Sequence, residues 1–318
     1  MQHKSIAVLG GSGFVGRALC EQLARAGWAV RVLTRARNHA RELWPLPATE
    51  CVECDVYAPA ALAAALRGTD AVINLVGILN EKGDRGTGFQ RAHVELTQCV
   101  IAACATAGVG RYLHMSALNA ASGAPSHYLR TKGDAEKLVR AASALQSTIF
   151  RPSLIFGPGD GLFVRFDQLL SLAPILPLAC AAARFQPVYV GDVAAAFITA
   201  LDDKSTIGQD YSLGGPAVLS LLEIVRYGVH LRGRRRLILP LGSRLSRVLA
   251  EVMEHLPGKP FSRDNLRSAA LDSVLPPGVD GLRTLRIAAT PLAAIVPGYL
   301  SGTGERARYD DLRQRARR

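Results

Sequence analysis

The sequence predicts an α/β protein built on a doubly wound parallel sheet. Apolar runs alternate with helix-like stretches through the first half of the chain, which is the pattern of such a sheet. The runs at residues 6–9 and 72–76 are nearly continuous, and this is typical of parallel strands that are buried on both faces. A glycine-rich turn follows the first run directly.

Each element is predicted from its own local pattern. Strands are expected at residues 5–9, 29–33, 50–54, 71–76, 111–115 and 147–150, with short late strands at 188–190 and 209–213. Helices are expected at 15–26, 59–66, 91–107 and 128–144. These elements predict a nucleotide-binding domain over residues 1–220, with a substrate-lobe insertion near 157–187. A smaller C-terminal substrate lobe, mainly helical and basic, is expected over 221–318.

The basic charge of the chain is concentrated in its last third. The formal net charge is +12, and residues 226–318 contain 18 Lys or Arg against 8 Asp or Glu. An arginine cluster at Arg232, Arg234, Arg235 and Arg236 and a tail ending at Arg318 contribute most visibly. Such a lobe predicts peripheral contact with an acidic surface, either an anionic membrane or an acidic protein partner.

Other classes of partner and location are disfavoured. Aromatic residues make up only 6% of the chain and no nucleic-acid-binding motif is present, so a nucleic-acid partner is not expected. No apolar run approaches the ~20 residues of a transmembrane helix. A cytoplasmic location is expected, and a peripheral position at the inner face of the membrane is the alternative. Cys51 and Cys54 form a lone C-x-x-C, and no metal site is predicted.

The turn after the first strand predicts a dinucleotide site. Gly10, Gly13 and Gly16 stand between a strand and a helix, which is the context that gives a G-x-x-G-x-x-G pattern its meaning. The first permits the turn, the second lets the pyrophosphate approach the backbone, and the third allows close helix–strand packing. The predicted contacts of the cofactor include the intervening residues Ser12, Phe14 and Val15.

The end of the second strand favours NADP(H) over NAD(H). NAD(H) sites usually place an acid there for the ribose hydroxyl, but this chain has Arg35 and Arg37. Their guanidinium groups suit a 2′-phosphate. NAD(H) remains the alternative. Asp55 and Val56 follow the third strand, where a carboxylate can bond the adenine amino group.

A tyrosine and a lysine stand four residues apart at the start of a predicted helix. Tyr128 and Lys132 therefore share one helix face. An ammonium group near a phenol lowers the pKa of the phenol, so that it can exchange a proton with an alcohol or a ketone. Ser116 follows the fifth strand and is the candidate donor to a substrate carbonyl.

Taken together, these motifs resemble the extended or atypical branch of the short-chain dehydrogenase/reductase superfamily. The matching segments are 10–16, 55–56, Asn74, Ser116, Tyr128, Lys132, 151–160 and 190–193. Segments 114–118, 128–133, 261–266, 289–292 and 297–300 are most similar to the nucleotide-binding accessory subunit of respiratory complex I and its free-standing bacterial relatives. The resemblance implies a Rossmann fold and a cofactor that also contacts Asn74, Val76, Gly77, Lys132, Pro152, Ser153 and Leu154.

The resemblance leaves three functions open. The first is an oxidoreductase that transfers hydride to or from a carbonyl, alcohol or quinone-like substrate, with Tyr128 as general acid or base. The second is a binding protein with a structural or regulatory nucleotide, as the complex I subunit implies. The third is a sugar-nucleotide epimerase or dehydratase. The catalytic serine of the branch usually aligns with Ala117, so the role of Ser116 is in question.

Weaker patterns complete the predictions. His93, His114 and His127 are expected near the cleft, mainly as packing or hydrogen-bonding residues. Residues 80–88 form a polar loop that suits either a lid or an ordinary surface. An apolar stripe at helical spacing comprises Leu241, Leu245, Val248, Leu249, Val252, Met253 and Leu256. The preferred interpretation is a helix that buries this stripe against the substrate lobe. The alternative is an amphipathic helix that touches a membrane or a lipid substrate.

Overall fold

The computed structural model describes residues 4–172, 174–233, 236–256 and 259–300. Two of the arginines singled out above, Arg234 and Arg235, and the tail ending at Arg318 lie outside these residues. Within the described part of the chain, no helix combines the length and apolarity needed to span a bilayer.

The elements follow one another in an alternating order. The strands are β1 (Ser5–Leu9), β2 (Ala29–Thr34), β3 (Thr49–Glu53), β4 (Ala71–Asn74), β5 (Arg111–Met115), β6 (Gln146–Pro152), β7 (Ile155–Phe156), β8 (Ile175–Leu178), β9 (Arg184–Phe185), β10 (Val188–Tyr189), β11 (Asp210–Leu213), β12 (Leu219–Ser220) and β13 (Leu237–Pro240). The α-helices are α1 (Phe14–Arg25), α2 (Pro59–Leu66), α3 (Thr87–Phe89), α4 (Leu96–Ala107), α5 (His127–Ala141), α6 (Phe163–Leu172), α7 (Val190–Asp202), α8 (Leu221–Leu231), α9 (Ser243–Glu254), α10 (Arg263–Ser268), α11 (Gly281–Thr284) and α12 (Leu292–Leu300). A π-helix, Gln90–Glu95, joins α3 to α4, and short 3₁₀ helices lie at Arg37–Leu43 and Lys204–Thr206.

The described residues form two compact units. The first contains 4–152, 190–213 and 275–287, and the second contains 153–189, 214–274 and 288–300. The return of segment 275–287 to the first unit has a packing reason. A Cβ at Gly281 would lie 2.5 Å from the carbonyl oxygen of Ser212, so α11 approaches β11 as closely as backbone allows.

A seven-stranded parallel sheet forms the first unit, in the order β11-β6-β5-β4-β1-β2-β3. This confirms the predicted doubly wound α/β fold. The apolar run of β1 is fully buried because β2 and β4 flank the strand and helices cover both faces of such a sheet. The order reverses between β1 and β4, and ligands of open α/β sheets bind at such a switch point.

The register brings the carboxyl ends of the central strands level. Leu9 pairs with Leu33 on one side and with Asn74 on the other, and Asn74 pairs with His114. Residues that follow these strands therefore meet at one edge of the sheet. The glycine turn after β1 lies at this edge.

Several element boundaries differ from the prediction. The fourth strand ends at Asn74 because the Asn74 Oδ1 accepts the Val76 N–H at 3.1 Å and turns the chain. The predicted strand at 188–190 is two residues long, since Val190 already begins α7. The long α7 was not predicted. The helix expected from residue 91 begins at Thr87 and passes through the π-helix.

Small paired strands and several helices form the second unit. β8 pairs with β13 in parallel, β7 with β10 in parallel and β9 with β12 antiparallel. The sequence predicted a mainly helical C-terminal lobe, and the strand β13 was not predicted. Asp160 is buried and organises the turn before α6, since its two oxygens accept the backbone N–H groups of Gly157 and Phe163 and the hydroxyl of Tyr299.

The helix predicted from the apolar stripe is present as α9, and the predicted burial of the stripe holds for only part of it. Its buried residues are Ser246, Ala250 and Glu254. Leu249 and Met253 are half-buried, whereas Leu245, Val248 and Val252 are exposed. The helix therefore turns its small residues, flanked by Leu249 and Met253, to the protein and the rest of its apolar stripe to solvent.

Candidate nucleotide site

The glycine turn is folded as tightly as its sequence predicts. Gly10 has a φ of +79°, and a Cβ there would lie 3.1 Å from the backbone carbon of Leu75. A Cβ at Gly16 would lie 2.3 Å from the Gly10 carbonyl oxygen and 2.5 Å from Gly11 Cα. The Gly13 N–H donates to the Gly10 carbonyl at 3.0 Å. These contacts fix α1 directly against the turn.

The N-terminus of α1 is suited to a phosphate. Gly13 is the N-cap residue, and no side chain caps the first turn of this helix. The first N–H groups of a helix have no partner within it, and the helix dipole adds positive potential. Gly13 is exposed, and a Cβ there would meet only the Gly10 carbonyl within 4 Å, at 3.2 Å. The turn therefore leaves backbone donors open at the switch point, which fits a dinucleotide pyrophosphate.

A glycine series separates folding from binding at this turn. We expect Gly16→Ala to destabilise the fold by about 1–3 kcal/mol, because backbone must move to admit the methyl group. Gly13→Ala should keep its stability but weaken nucleotide binding about tenfold or more, because its methyl group occupies the space of the phosphate. Urea unfolding and nucleotide titration measure the two effects.

Gly110→Ala is the matched control of this series, since a Cβ there meets nothing within 4 Å. It should change neither stability nor nucleotide affinity. Gly13→Ala with unchanged nucleotide affinity would contradict the assignment of the turn to the phosphates.

Two arginines and one acid surround the end of β2. Arg35 and Arg37 are exposed, and neither guanidinium forms an ion pair with another described residue. Glu53, the last residue of β3, pairs in register with Thr34 and accepts the Arg37 backbone N–H at 2.7 Å. This carboxylate was not predicted, because it belongs to β3 and not to β2. The end of β2 therefore combines two cationic side chains with one carboxylate.

Asp55 follows the end of β3, and Asn74 is the last residue of β4. The Asp55 Oδ1 accepts the Tyr57 N–H at 3.0 Å, so the carboxylate shapes the turn after β3 and stays exposed. Asn74 is buried, and its amide donates to the Tyr112 hydroxyl at 3.1 Å. The Tyr112 hydroxyl in turn lies 3.0 Å from His114 Nδ1. Asn74 therefore joins a buried polar chain beneath the strand ends.

Lys132 is the buried cation of the site. Its ammonium group donates to the Met115 carbonyl at 2.8 Å and approaches the Val76 carbonyl at 3.4 Å. Burial lowers the pKa of Lys132 to about 8, and the charge of Glu136 opposes this fall. A Cβ at Gly77 would lie 3.2 Å from the ammonium nitrogen. Glycine at position 77 thus leaves room for the lysine head at the ends of β4 and β5.

Glu136 stands one helical turn after Lys132 and is equally buried. Arg151 Nε donates to its Oε1 at 2.7 Å, and Arg140 donates to its Oε2 at 2.8 Å. Burial by itself raises the pKa of Glu136, but hydrogen bonds from Arg151 and Arg140, with the nearby Ser116 hydroxyl, outweigh it and hold the pKa below its usual range. The sequence analysis missed this residue, although its i+4 spacing from Lys132 was a visible signal.

Tyr128 lies beside His93 and Phe89. The ring centroids of Tyr128 and His93 are 5.6 Å apart in an edge-on arrangement, and those of Tyr128 and Phe89 are 6.2 Å apart. The Tyr128 side chain is half-buried, and burial raises the pKa of its phenol to about 12. The lowered pKa expected from Lys132 is therefore absent, since the lysine ammonium group points to backbone carbonyls.

His93 is a neutral histidine with a defined tautomer. Its Nε2 accepts the Ile78 N–H at 3.2 Å, and its Nδ1 lies 2.8 Å from Thr131 Oγ1. Since the Thr131 hydroxyl donates to the His127 carbonyl, the proton of the ring is on Nδ1. Burial, with the nearby charge of Lys132, lowers the pKa of His93 to about 2. The ring lies in the π-helix, an insertion that is frequent at functional sites.

The remaining predicted residues fall into different surroundings. The Ser116 hydroxyl is buried and makes no hydrogen bond of good geometry with a described residue, although it lies close enough to Glu136 to lower the pKa of that carboxyl. Pro152 ends β6 in the first unit. Ser153 and Leu154 belong to the second unit, where Ser153 Oγ donates to the Ser273 carbonyl at 2.6 Å and Leu154 accepts the Val188 N–H.

An acidic residue organises the loop at 80–88. The Glu81 carboxylate accepts the N–H groups of Gly86 at 2.5 Å and Gly88 at 2.6 Å. A Cβ at Gly86 would lie 2.5 Å from His127 Nδ1, so the loop is packed against the start of α5. His127 also lies 3.0 Å from the Arg130 guanidinium. The histidine predicted near the cleft thus contacts the loop.

A parallel sheet with an open helix N-terminus at its switch point defines a Rossmann-type nucleotide-binding class of protein. The sequence profile of the NAD dependent epimerase/dehydratase family matches residues 6–214. The chain belongs to this family. The match covers β1 through β11, and thus the elements that form the site described above.

Proteins similar to this chain include a subunit of mitochondrial NADH dehydrogenase and a bacterial reductase. The chain is 29% identical over 293 residues to the mitochondrial NADH dehydrogenase (ubiquinone) 1 alpha subcomplex subunit 9 of Mus musculus, an alignment that covers 90% of this chain and 76% of that protein. It is 33% identical over 193 residues to a ceramide reductase of Caulobacter vibrioides, covering 61% of this chain and 59% of that protein.

Solved structures share the fold at low sequence identity. The crystal structure of gox2253 has a TM-score of 0.72 and 22% identity, and the alignment covers 94% of this chain and 97% of that one. The Bordetella bronchiseptica enzyme WbmH in complex with NAD+ has a TM-score of 0.70 and 19% identity, with 94% and 98% covered.

Proposed function

We propose that this protein is an NADP(H)-dependent oxidoreductase that reduces a carbonyl or quinone-like substrate. The glycine turn with Gly10, Gly13 and Gly16 holds the pyrophosphate, and Arg35 and Arg37 hold the 2′-phosphate. Lys132 binds the nicotinamide ribose, and Tyr128 transfers the proton. When bound, the reduced nicotinamide supplies the hydride.

The observation that carries this proposal is the position of Lys132 and Tyr128 on one face of α5. The lysine ammonium group lies at the carboxyl ends of β4 and β5, on carbonyls of Val76 and Met115. These are the strand ends at which the glycine turn also lies. One edge of the sheet therefore combines backbone N–H groups that can donate to a phosphate, the ammonium group of Lys132 and the phenol of Tyr128.

The protonation of Tyr128 favours the reductive direction. With its pKa raised to about 12, the phenol carries its proton at neutral pH. It can then donate this proton to the substrate oxygen while hydride reaches the carbonyl carbon, and water returns a proton to the phenolate. His93 lies edge-on to the phenol ring and, being neutral, adds no charge next to it.

The second candidate function is a nucleotide-binding protein without turnover. Ser116 lies beside Glu136 and Ala117 has no polar side chain, so a side-chain donor for the substrate carbonyl is not identified. The relatives that are named as NADH dehydrogenase subunits support association with a respiratory complex. Sugar-nucleotide epimerase or dehydratase chemistry is the third, and the family name supports it.

Nucleotide titration by calorimetry tests the cofactor assignment. We expect NADPH to bind more tightly than NADH. Arg35→Ala should weaken NADPH about tenfold or more, because charge-assisted hydrogen bonds to a phosphate contribute about 1.5–3 kcal/mol. NADH affinity should change little, since NADH has no 2′-phosphate.

Arg25→Ala is the matched control, because Arg25 is an exposed arginine at the opposite end of α1. It should leave both affinities unchanged. Equal or preferential NADH binding by the wild type would show that Glu53 dominates the site and would overturn the NADP(H) assignment. Failure of both nucleotides to bind would overturn the proposed function.

A further inference from the structure

Helix α9 has three faces of different character. Ser246, Ala250 and Glu254, at intervals of four residues, form its buried face. Leu245, Val248, Val252 and Leu256 follow one another at intervals of three, four and four, so they form one continuous stripe along the helix and the residue after its cap. Their side chains are 60%, 58%, 58% and 45% exposed. We call these four residues the α9 stripe.

The third face of α9 is polar and adjoins the stripe. Arg244, Arg247, Glu251 and His255 are all exposed there. Two arginines at the beginning of the helix give this flank a cationic end. An apolar stripe with an arginine-bearing flank is the pattern of helices that lie in the plane of a membrane interface.

The protein holds α9 in this orientation by contacts on the buried face. The Glu254 carboxylate accepts the backbone N–H of Arg263 at 3.0 Å and its Nε at 2.8 Å, which links α9 to α10. Ser246 Oγ donates to the Leu241 carbonyl at 3.3 Å, and Ala250 is fully buried. Small residues at 246 and 250 bring the helix close to the protein. The exposure of the α9 stripe is therefore built into the packing of the helix.

This arrangement departs from the usual one, because only Leu249 and Met253 of the apolar side of α9 are half-buried and the other leucine and valine residues of the helix are exposed. A surface helix of a globular protein buries its apolar side and exposes its polar side, since apolar burial contributes about 25 cal/mol per Å². Here the Glu254 side chain is buried and paired with Arg263, while four aliphatic side chains stay in solvent. Scattered exposed aliphatic residues are normal, but a contiguous exposed patch marks a contact surface.

The strand pair before α9 adds exposed apolar residues of the same unit. Leu237 and Leu239 of β13 and Ile175 of β8 are exposed, and Leu237 pairs with Ile175. The alternate residues, Leu176, Leu178 and Ile238, are buried in the core of the unit. The Leu241 N–H donates to the Leu178 carbonyl, so the strand pair leads directly into α9. The segment from β13 through α9 thus presents aliphatic side chains repeatedly.

We infer that the α9 stripe docks on the surface of an anionic phospholipid bilayer. The four aliphatic side chains enter the boundary between headgroups and acyl chains, and Arg244 and Arg247 contact lipid phosphates. The surplus of 18 basic over 8 acidic residues in segment 226–318 supplies long-range attraction to such a surface. This inference goes beyond the nucleotide site and does not depend on it.

Charge and area both favour a bilayer over a second copy of the chain. Two copies that meet through the α9 stripe each carry a formal net charge of +12, so their long-range interaction is repulsive. A stable protein interface also buries about 800 Å² per partner, which exceeds what four side chains of this size expose. A bilayer has no such minimum and carries the complementary charge.

Vesicle sedimentation with the full-length protein tests the inference. We expect binding to phosphatidylcholine vesicles that contain one third phosphatidylglycerol, and weak binding to phosphatidylcholine alone. The stripe variant L245Q/V248T/V252T should lose about tenfold or more in partition coefficient, which corresponds to about 1.4 kcal/mol. Arg244→Gln and Arg247→Gln should each cost about fivefold on the anionic vesicles.

The matched control is V218T/L271Q/V279T, which makes the same exchanges at exposed aliphatic residues outside α9. It should bind vesicles like the wild type. Far-ultraviolet circular dichroism and thermal unfolding, compared with the wild type, confirm that the stripe variant is folded. The inference is overturned if the wild type does not bind anionic vesicles, or if the stripe variant binds as well as the control. A wild-type dimer that the stripe variant dissociates, without vesicle binding, would assign the stripe to a second copy instead.

Discussion

Replacement of Tyr128 by phenylalanine is expected to reduce NADPH-dependent carbonyl reduction by about 100-fold or more, the typical contribution of a positioned general acid. The variant removes only the hydroxyl, so the ring contacts to His93 and Phe89 remain. NADPH affinity should change little, because the glycine turn and the arginines at the end of β2 hold the nucleotide. Oxidation of NADPH at 340 nm, with a water-soluble benzoquinone and an aliphatic 3-oxo acid as probes, measures the rate.

The pH profile of this activity distinguishes Tyr128 from Lys132. The phenol has a pKa of about 12 and stays protonated across the neutral range. Lys132 has a pKa of about 8, so it loses its proton first as the pH rises. We therefore expect the rate of the wild type to fall above about pH 8, at the titration of the lysine.

Tyr211→Phe is the control for the loss of a phenol in the same unit, and it should leave the rate unchanged. Activity that survives in Tyr128→Phe would exclude the phenol as the proton donor. If the wild type binds NADPH but turns over neither probe, the function without turnover gains support. In that case NADPH should still raise the thermal unfolding temperature of the wild type and of Tyr128→Phe.

The sheet and its glycine turn could be predicted because local sequence determines them. The fully buried β1 needs a continuous apolar run, and the sharp turn after it needs glycine at positions 10 and 16. Both requirements are visible in the sequence of a dozen consecutive residues. The same holds for Tyr128 and Lys132, whose spacing of four places them on one helix face.

Features that depend on distant partners could not be predicted. The spacing of Glu136 from Lys132 is visible in the sequence, but its ion pairs are not, because the sheet brings Arg151 of β6 to Glu136 and Asp210 of β11 to Arg151. Glu53 reaches the end of β2 through sheet register. The stripe of α9 shows the same limit most clearly. Periodicity locates an apolar face, but whether protein covers that face depends on the packing of Ser246 and Ala250.

Glu136→Gln is expected to destabilise the first unit by about 3 kcal/mol. Removal of one member of a buried ion pair costs about 3–5 kcal/mol, because the partner charge is left without compensation. The lower end applies here, since Arg151 and Arg140 are partly solvated and both also contact Asp210. Urea unfolding of the variant and the wild type measures the difference.

The pH dependence of this difference follows from the lowered pKa of Glu136. A carboxyl group whose pKa is lower in the folded state binds fewer protons there than in the unfolded chain. Its contribution to stability is therefore complete above the ordinary pKa of glutamate, about 4.3, and is lost as the pH falls through the lower folded value. The two proteins should differ most at neutral pH and converge in acid. Glu50→Gln, which breaks the exposed pair with Arg31, should cost no more than about 1 kcal/mol. A difference between wild type and Glu136→Gln that stays constant from neutral pH into acid would show that the carboxylate charge is not what stabilises this cluster.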